Sequence, residues 1–385
     1  MRSRFFVLLS FFFLLGCNHP VDAGANETQH IGYVVSLSIA SDGKHVISAQ
    51  SDQHIILWDI QSQKNKSISE KGNIFSAYFI KHSDRFLWQD IDNTIFVQDT
   101  DGRIIHSFPL FPTYGHVMTT DLENYFSSDS GWGLYSGYGA SKKILKAADD
   151  GSFTGHGKLL NLVVNEKTHA LLSTGYVYDW EHSGSSEKQR RYAEKLSYEG
   201  IVLWDINTNK LLTRLPGNAA KTYATISPDG RFVVSGDENG ICFVWDIKEN
   251  KIAHYLASLH HGRIINPKDP YEKWKRDKTG LIPPPKDFTG GSTISINFIN
   301  NDYYLRIFYD EHYVALYQID NDMPVKYLDL GDTPYPSVKE YYRNVSIDTA
   351  PDTGILVTGQ YRGSGINVYQ FDPENLTLDK IWVTQ

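Results

Sequence analysis

Cysteine is nearly absent: Cys17 and Cys242 are the only two in 385 residues. Two thiols cannot build a disulfide-dense scaffold. A basic surplus is also lacking. Lys and Arg number 37 against 45 Asp and Glu, for a formal charge of −8. That balance argues against a nucleic-acid binder, which carries a basic patch or stripe. The 14 histidines show no His-x-x-x-His spacing, and there is no Cys-x-x-Cys pair. His260-His261 are adjacent, which suits two metal ligands poorly, and they read as polar loop residues. There is no phosphate-cradling G-x-x-x-x-G-K-[ST] loop and no serine nucleophile elbow. Gly363-Ser364-Gly365 lacks the strand-to-helix context of an elbow and reads as a hairpin turn. Cys242, beside Ile241 and Phe243 on an apolar strand, reads as a buried and inert thiol. No catalytic residue, metal or cofactor is expected.

What is present is repetition. At 41% hydrophobic and 13% aromatic residues the chain can pack a core and is too apolar for wholesale disorder. Leu57-Trp58-Asp59-Ile60, Leu203-Trp204-Asp205-Ile206 and Val244-Trp245-Asp246-Ile247 are near-copies, each closing an apolar strand. Upstream stand the turns Ser41-Asp42-Gly43-Lys44 and Ser227-Pro228-Asp229-Gly230-Arg231. Each turn leads into a strand with a serine, Val46-Ile47-Ser48 and Val233-Val234-Ser235. Four short antiparallel strands with a turn about every ten residues make a propeller blade.

These units resemble the WD-repeat family of β-propellers. The resemblance implies an all-β fold, and weaker copies bring the count to seven blades, at about 31–71, 72–110, 113–149, 156–216, 218–257, 291–330 and 340–385. Six or eight blades are the alternatives, since the third is degenerate. The family closes its ring by lending an N-terminal outer strand to the last blade. Here the last blade holds its own candidate, residues 378–383, and a clasp from residues 22–31 stays open. The family's network of Gly-His pair, turn Asp and Trp is mostly missing. Gly155-His156 is its one well-placed Gly-His pair, and Asp52 is a candidate turn Asp. Stability is therefore expected to rest on strand packing, with each Trp-Asp pair structural.

Three insertions interrupt the array. Residues 179–199 separate the second and third strands of blade four, with a short helix expected over 187–196. Residues 258–290 lie between blades five and six, and 331–342 between blades six and seven. Loops this long in a compact domain are functional or disordered. Second-to-third and last-to-first connections share one propeller face, so all three are expected there. They carry Arg190, Arg191, Tyr192, Tyr198, Tyr271, Trp274, Arg276, Phe288, Tyr335, Tyr341 and Tyr342. Tyr, Trp and Arg dominate protein-interface energetics. These residues are the expected partner-binding set.

The N-terminus gives an address. Arg2 and Arg4 precede an eleven-residue apolar run, 5–15, too short for a membrane span. The run ends Leu14-Leu15-Gly16-Cys17, which resembles the lipobox of bacterial lipoproteins. The resemblance implies cleavage after Gly16 and lipidation of Cys17. An ordinary signal peptide with a chance cysteine is the alternative. Several acyl chains anchor stably where one holds weakly. Residues 17–30 read as a flexible tether and 31–385 as a single propeller. Asn18 after the cysteine tilts the expectation to the outer membrane, facing the periplasm. Together these features imply a non-catalytic envelope lipoprotein that holds one partner protein. The partner is either a toxin delivered to the periplasm, such as a secreted phospholipase that this immunity protein neutralises, or a subunit of an envelope assembly complex. A hydrolase or lyase working in the central channel is the third reading.

Overall fold

The computed structural model describes residues 34–50, 52, 54–69, 76–90, 94–109, 113–129, 134–137, 143–145, 158–176, 201–215, 222–237, 242–256, 286, 293–308, 312–331, 347–360 and 365–384. Within them lie seven four-stranded antiparallel sheets, each built from consecutive strands. The first holds β1 (Val34–Ile39), β2 (His45–Gln50), β3 (Ile55–Asp59) and β4 (Lys64–Ser69). The second runs from β5 (Ser76–Phe79) through β6 (Arg85–Gln89) and β7 (Thr94–Asp99) to β8 (Ile104–Pro109). The third holds β9 (Thr113–Met118), β10 (Tyr125–Asp129), β11 (Leu134–Ser136) and β12 (Lys143–Ile144). The fourth holds β13 (Lys158–Asn165), β14 (Ala170–Tyr176), β15 (Ile201–Asp205) and β16 (Leu211–Leu215). The fifth holds β17 (Thr222–Ile226), β18 (Phe232–Asp237), β19 (Cys242–Asp246) and β20 (Lys251–Leu256). The sixth runs from β21 (Thr293–Phe298) through β22 (Tyr303–Phe308) and β23 (Tyr313–Gln318) to β24 (Lys326–Asp329). The seventh holds β25 (Ile347–Ala350), β26 (Ile355–Gly359), β27 (Ile366–Asp372) and β28 (Thr377–Val383). This is a seven-bladed β-propeller. Six and eight blades are excluded. The third blade's last two strands are short, which accounts for its faint sequence signal.

Both faces of every blade are apolar, because each blade packs against two neighbours. The core accordingly divides into seven clusters, one at each junction of adjacent blades. The junction of blades seven and one closes the ring. There Leu37, Ile39, Val46 and Ile56 meet Ile355, Val357, Ile366 and Val368. Trp58 meets Trp382 edge-on, with ring centroids 6.1 Å apart. Among the described residues the last blade takes all four of its strands from the C-terminal end, as expected from 378–383. Apolar packing joins the first and last blades there. Residues 22–31 lie outside the described residues.

The Trp-Asp repeats have separate structural tasks. Opposite pairing of Val46 with Trp58 and of Ser48 with Ile56 sets the Trp diagonally across from the Ser. The Trp58 Nε1–H donates to Ser48 Oγ at 2.8 Å. Blade four repeats this from Trp204 to Ser173, also at 2.8 Å. In both blades this Trp–Ser bond is buried, where a hydrogen bond stabilises most. In blade one Asp52 Oδ1 lies 3.2 Å from His54 Nδ1, as a turn Asp beside a histidine.

The Asp of each pair caps the turn into the outer strand. Asp59 Oδ1 accepts from the Ser62 N–H, Asp205 Oδ1 from Asn207 and Thr208, and Asp246 Oδ1 from Glu249. These bonds let Gln63, Asn209 and Asn250 turn through the left-handed region. The Ser62 amide holds the Asp59 carboxyl below its ordinary range, and the Thr208 amide does the same for Asp205. Burial pushes Asp246 up, but the Glu249 amide and Arg231 outweigh it and leave a net lowering. A carboxyl depressed by folding adds stability above its unfolded value and loses it as pH falls through the folded one. The urea midpoint is therefore expected to fall below about pH 4. Asp205→Asn is expected to be less stable at pH 7 and to lose less further stability on acidification. Parallel acid curves for the two chains would refute the assignment.

Candidate partner-binding face

Meandering strands give the ring two rims. First-to-second and third-to-fourth connections form one, here the turn rim. The other two connection types form the second, here the insertion rim. The first strands meet around the centre, and their inner edges carry amide groups that no fifth strand covers. Side chains from neighbouring blades bind those edges instead. Ser36 Oγ accepts from the Ala77 N–H at 2.9 Å and donates to the Ala77 carbonyl at 3.0 Å. The Phe79 N–H donates to Ser38 Oγ at 3.2 Å.

Where the first strands reach the turn rim these bonds join into a polar collar. Asp348 Oδ2, from blade seven, accepts from Ser38 Oγ and the Ile39 N–H of blade one, each at 3.0 Å. It also accepts from Lys81 Nζ of blade two at 3.2 Å. Thr120 Oγ1 of blade three donates to the Lys81 carbonyl at 2.7 Å, while its N–H donates to Glu166 Oε1 of blade four at 2.7 Å. Asn165 Nδ2 reaches the Ser227 carbonyl of blade five at 3.0 Å, and Thr349 Oγ1 the Phe298 carbonyl of blade six at 2.7 Å. Tyr78 lies beside this collar. Burial pushes its hydroxyl well above the ordinary range, against a bond to Ser36, and the Asp348 charge adds to the rise. The tyrosine stays neutral. Every one of these groups is engaged across a blade junction, which makes the collar a fastening.

Sequence reasoning missed the collar. Its residues lie at or just past the ends of first strands, but the bonds span from 39 to 310 positions and leave no local pattern. Among the described residues no group of three His, Cys, Asp or Glu is placed to hold a metal ion. Cys242 is 2% exposed, with Sγ 3.8 Å from Thr293 Oγ1, in keeping with its expected burial.

The insertion rim is defined by its strand ends. Residues 179–199 fall between β14 and β15, 258–290 between β20 and β21, and 331–342 between β24 and β25. All six of these strand ends belong to that rim. The eleven residues from Arg190 to Tyr342 singled out for partner binding lie outside the described residues, as do Cys17, Gly155-His156, His260-His261 and the helix expected over 187–196.

Residues 26–59 and 209–246 match the family model described as WD domain, G-beta repeat. These matches support a WD-repeat family. The second match starts on the turn into β16 and ends at Asp246, so the WD-repeat unit is offset from the structural blade by one strand. A curated relative, "Cross-pathway control WD-repeat protein 2" of Flammulina velutipes, is 34% identical over 67 residues. That match covers 17% of this chain and only 20% of the relative. A solved structure, "KlHsv2 with loop 6CD replaced by a Gly-Ser linker", superimposes with a TM-score of 0.57 at 10% identity, over 92% of this chain and 99% of that one. At that identity the likeness concerns the fold alone. The matched segments make this propeller similar to WD-repeat propellers, a likeness that suggests a protein-binding scaffold.

Proposed function

We propose that this chain is a non-catalytic, lipid-anchored envelope protein that binds one partner protein through its insertion rim. The carrying observation is asymmetry. The turn rim is built from short turns held by Asp caps and the collar, whereas three long insertions all connect strand ends of the other rim. A rigid ring with one elaborated face suits a single, specific partner. The insertions supply the aromatic and Arg side chains such an interface needs.

The partner class we favour is a toxin delivered to the periplasm, which makes this chain its inhibitor. Degenerate repeats with individual insertions suit recognition of one opponent. The test is affinity capture from envelope extract, comparing the mature chain with a variant lacking 179–199 and 258–290. One protein held by the intact chain and lost by the variant is the expected result. A toxin among the captured proteins supports the inhibitor, and an assembly subunit supports the scaffold. If both baits recover the same proteins, or none, the insertion rim is not the site.

A further inference from the structure

The junction of blades four and five holds buried oxygen atoms that no donor serves. Thr174 is fully buried, and its Oγ1 has no hydrogen-bond partner among the described residues. Asn161 Oδ1 is a second buried oxygen without one. Buried polar atoms are costly unless something satisfies them, so a pair of them calls for an occupant. The two residues stand opposite each other on β13 and β14. Both face blade five, because Val163 and Leu172, two positions away along each strand, pack into that junction.

Blade five brings two more oxygen-bearing side chains to the same place. Thr222 and Asp237 are fully buried and stand opposite each other on β17 and β18. Alternation with Ala224 and Val233 turns both toward blade four. Each also makes other contacts. β17 packs across β13 and β14. Its register against them is fixed at the turn rim, where Asn165 Nδ2 reaches the Ser227 carbonyl at 3.0 Å. Blades one and two show the same register further in, where Ser36 bonds the Ala77 backbone. Counted back from the hairpin turns, Asn161 holds the place of Ser36, and Ala224 that of Ala77. Thr222 lies two residues beyond Ala224 toward the insertion rim, within side-chain reach of the Asn161–Thr174 pair.

The atoms offered there are oxygens, one carboxylate and three neutral groups. Trp245 Nε1 is a buried donor without a partner in the same junction. Trp245 stands opposite Val233, however, four residues or about 13 Å along β18 from Asp237, and lies outside the oxygen set. Cys242 turns the other way, with Sγ against Thr293 of blade six. Oxygen-only sets suit hard cations, whereas softer metals take imidazole or thiolate. A buried divalent ion calls for more carboxylate charge than Asp237 alone supplies, and one carboxylate among neutral oxygens matches a single positive charge. We propose that the junction of blades four and five binds a sodium or potassium ion through Asn161, Thr174, Thr222 and Asp237. The ion clamps the two blades toward the insertion rim, as the Asn165 bond to Ser227 clamps them at the turn rim. This site depends on neither the lipid anchor nor the insertions.

The test is thermal unfolding of the full chain in sodium, potassium and choline chloride at equal ionic strength. An ion present at ten times its dissociation constant multiplies the folding equilibrium by about tenfold. A higher midpoint in at least one alkali salt than in choline is the expected result. Thr174→Val keeps the shape of the side chain, removes its oxygen, and is expected to erase that difference. Asn161→Leu is the second variant and is expected to diminish it. Equal midpoints of the unaltered chain in all three salts overturn the site. Thr174→Val then shows what the oxygens meet instead: a loss of stability of the same size in every salt means ordered water, and a gain means a dry contact. An alkali dependence that survives both variants places the ion elsewhere and overturns the assignment as well.

Discussion

Trp204→Ala is expected to cost about 3–5 kcal/mol of unfolding free energy, among the largest losses of any single truncation here. Trp204 is the largest fully buried side chain in the described structure. It joins β15 to Phe126 and Leu134 of blade three, and to Leu171 and Ile206 of its own blade. Its Nε1–H adds the bond to Ser173. A graded series separates these contributions. Ser173→Ala removes the hydrogen bond and leaves a buried donor, at about 1–3 kcal/mol. Trp204→Phe removes the bond and some volume. Trp204→Ala removes the ring entirely and leaves a cavity between two blades. Urea unfolding should rank the three in that order. A loss under about 1 kcal/mol for Trp204→Ala would mean that the junction of blades three and four collapses around the gap.

The sequence was readable where local chemistry repeats. The turns of blades one and five announce themselves because Gly43 and Gly230 take φ of +69° and +75° there. A side chain at Gly230 would also collide with Thr168 of the neighbouring blade. At the matching place blade three has Leu122 and blade four has His169, with φ of +65° and +53°. Residues that rarely adopt this conformation hold the same turn, so the Asp-Gly signal vanishes while the structure persists. The Trp–Ser bond shows a second reason. In blade one its partners are ten positions apart, but in blade four they are 31 apart because an insertion intervenes. Ser48 was legible as part of a repeat, and Ser173 was not. The collar is a third case. It joins the ends of first strands from different blades, and nothing in one repeat states what the next will offer. Of the candidate site, the segments 179–199, 258–290 and 331–342 fall between β14 and β15, β20 and β21, and β24 and β25, and their aromatic and Arg residues lie outside the described residues.

Asp348→Ala should weaken the ring at its seam by about 1–3 kcal/mol, since one carboxylate oxygen there serves three donors. The chain enters the ring at β1 and leaves it at β28, so no peptide links blades seven and one directly. Apolar packing closes that junction, and Asp348 adds the polar fastening from blade seven to blades one and two. Removing it leaves the Ile39 amide and the half-exposed Lys81 ammonium without that acceptor. Asp348→Asn retains an oxygen for Ile39 and Ser38 but loses the charge that Lys81 faces. It is expected to cost less than the alanine variant, because a partly exposed ion pair adds little. Pairing Asp348→Ala with Ser38→Ala in a double-mutant cycle isolates the contact across the seam. A coupling near zero would mean that packing of Trp58 against Trp382 and its neighbours closes the ring unaided. A measurable coupling would show that the collar shares the work of holding the two chain ends together.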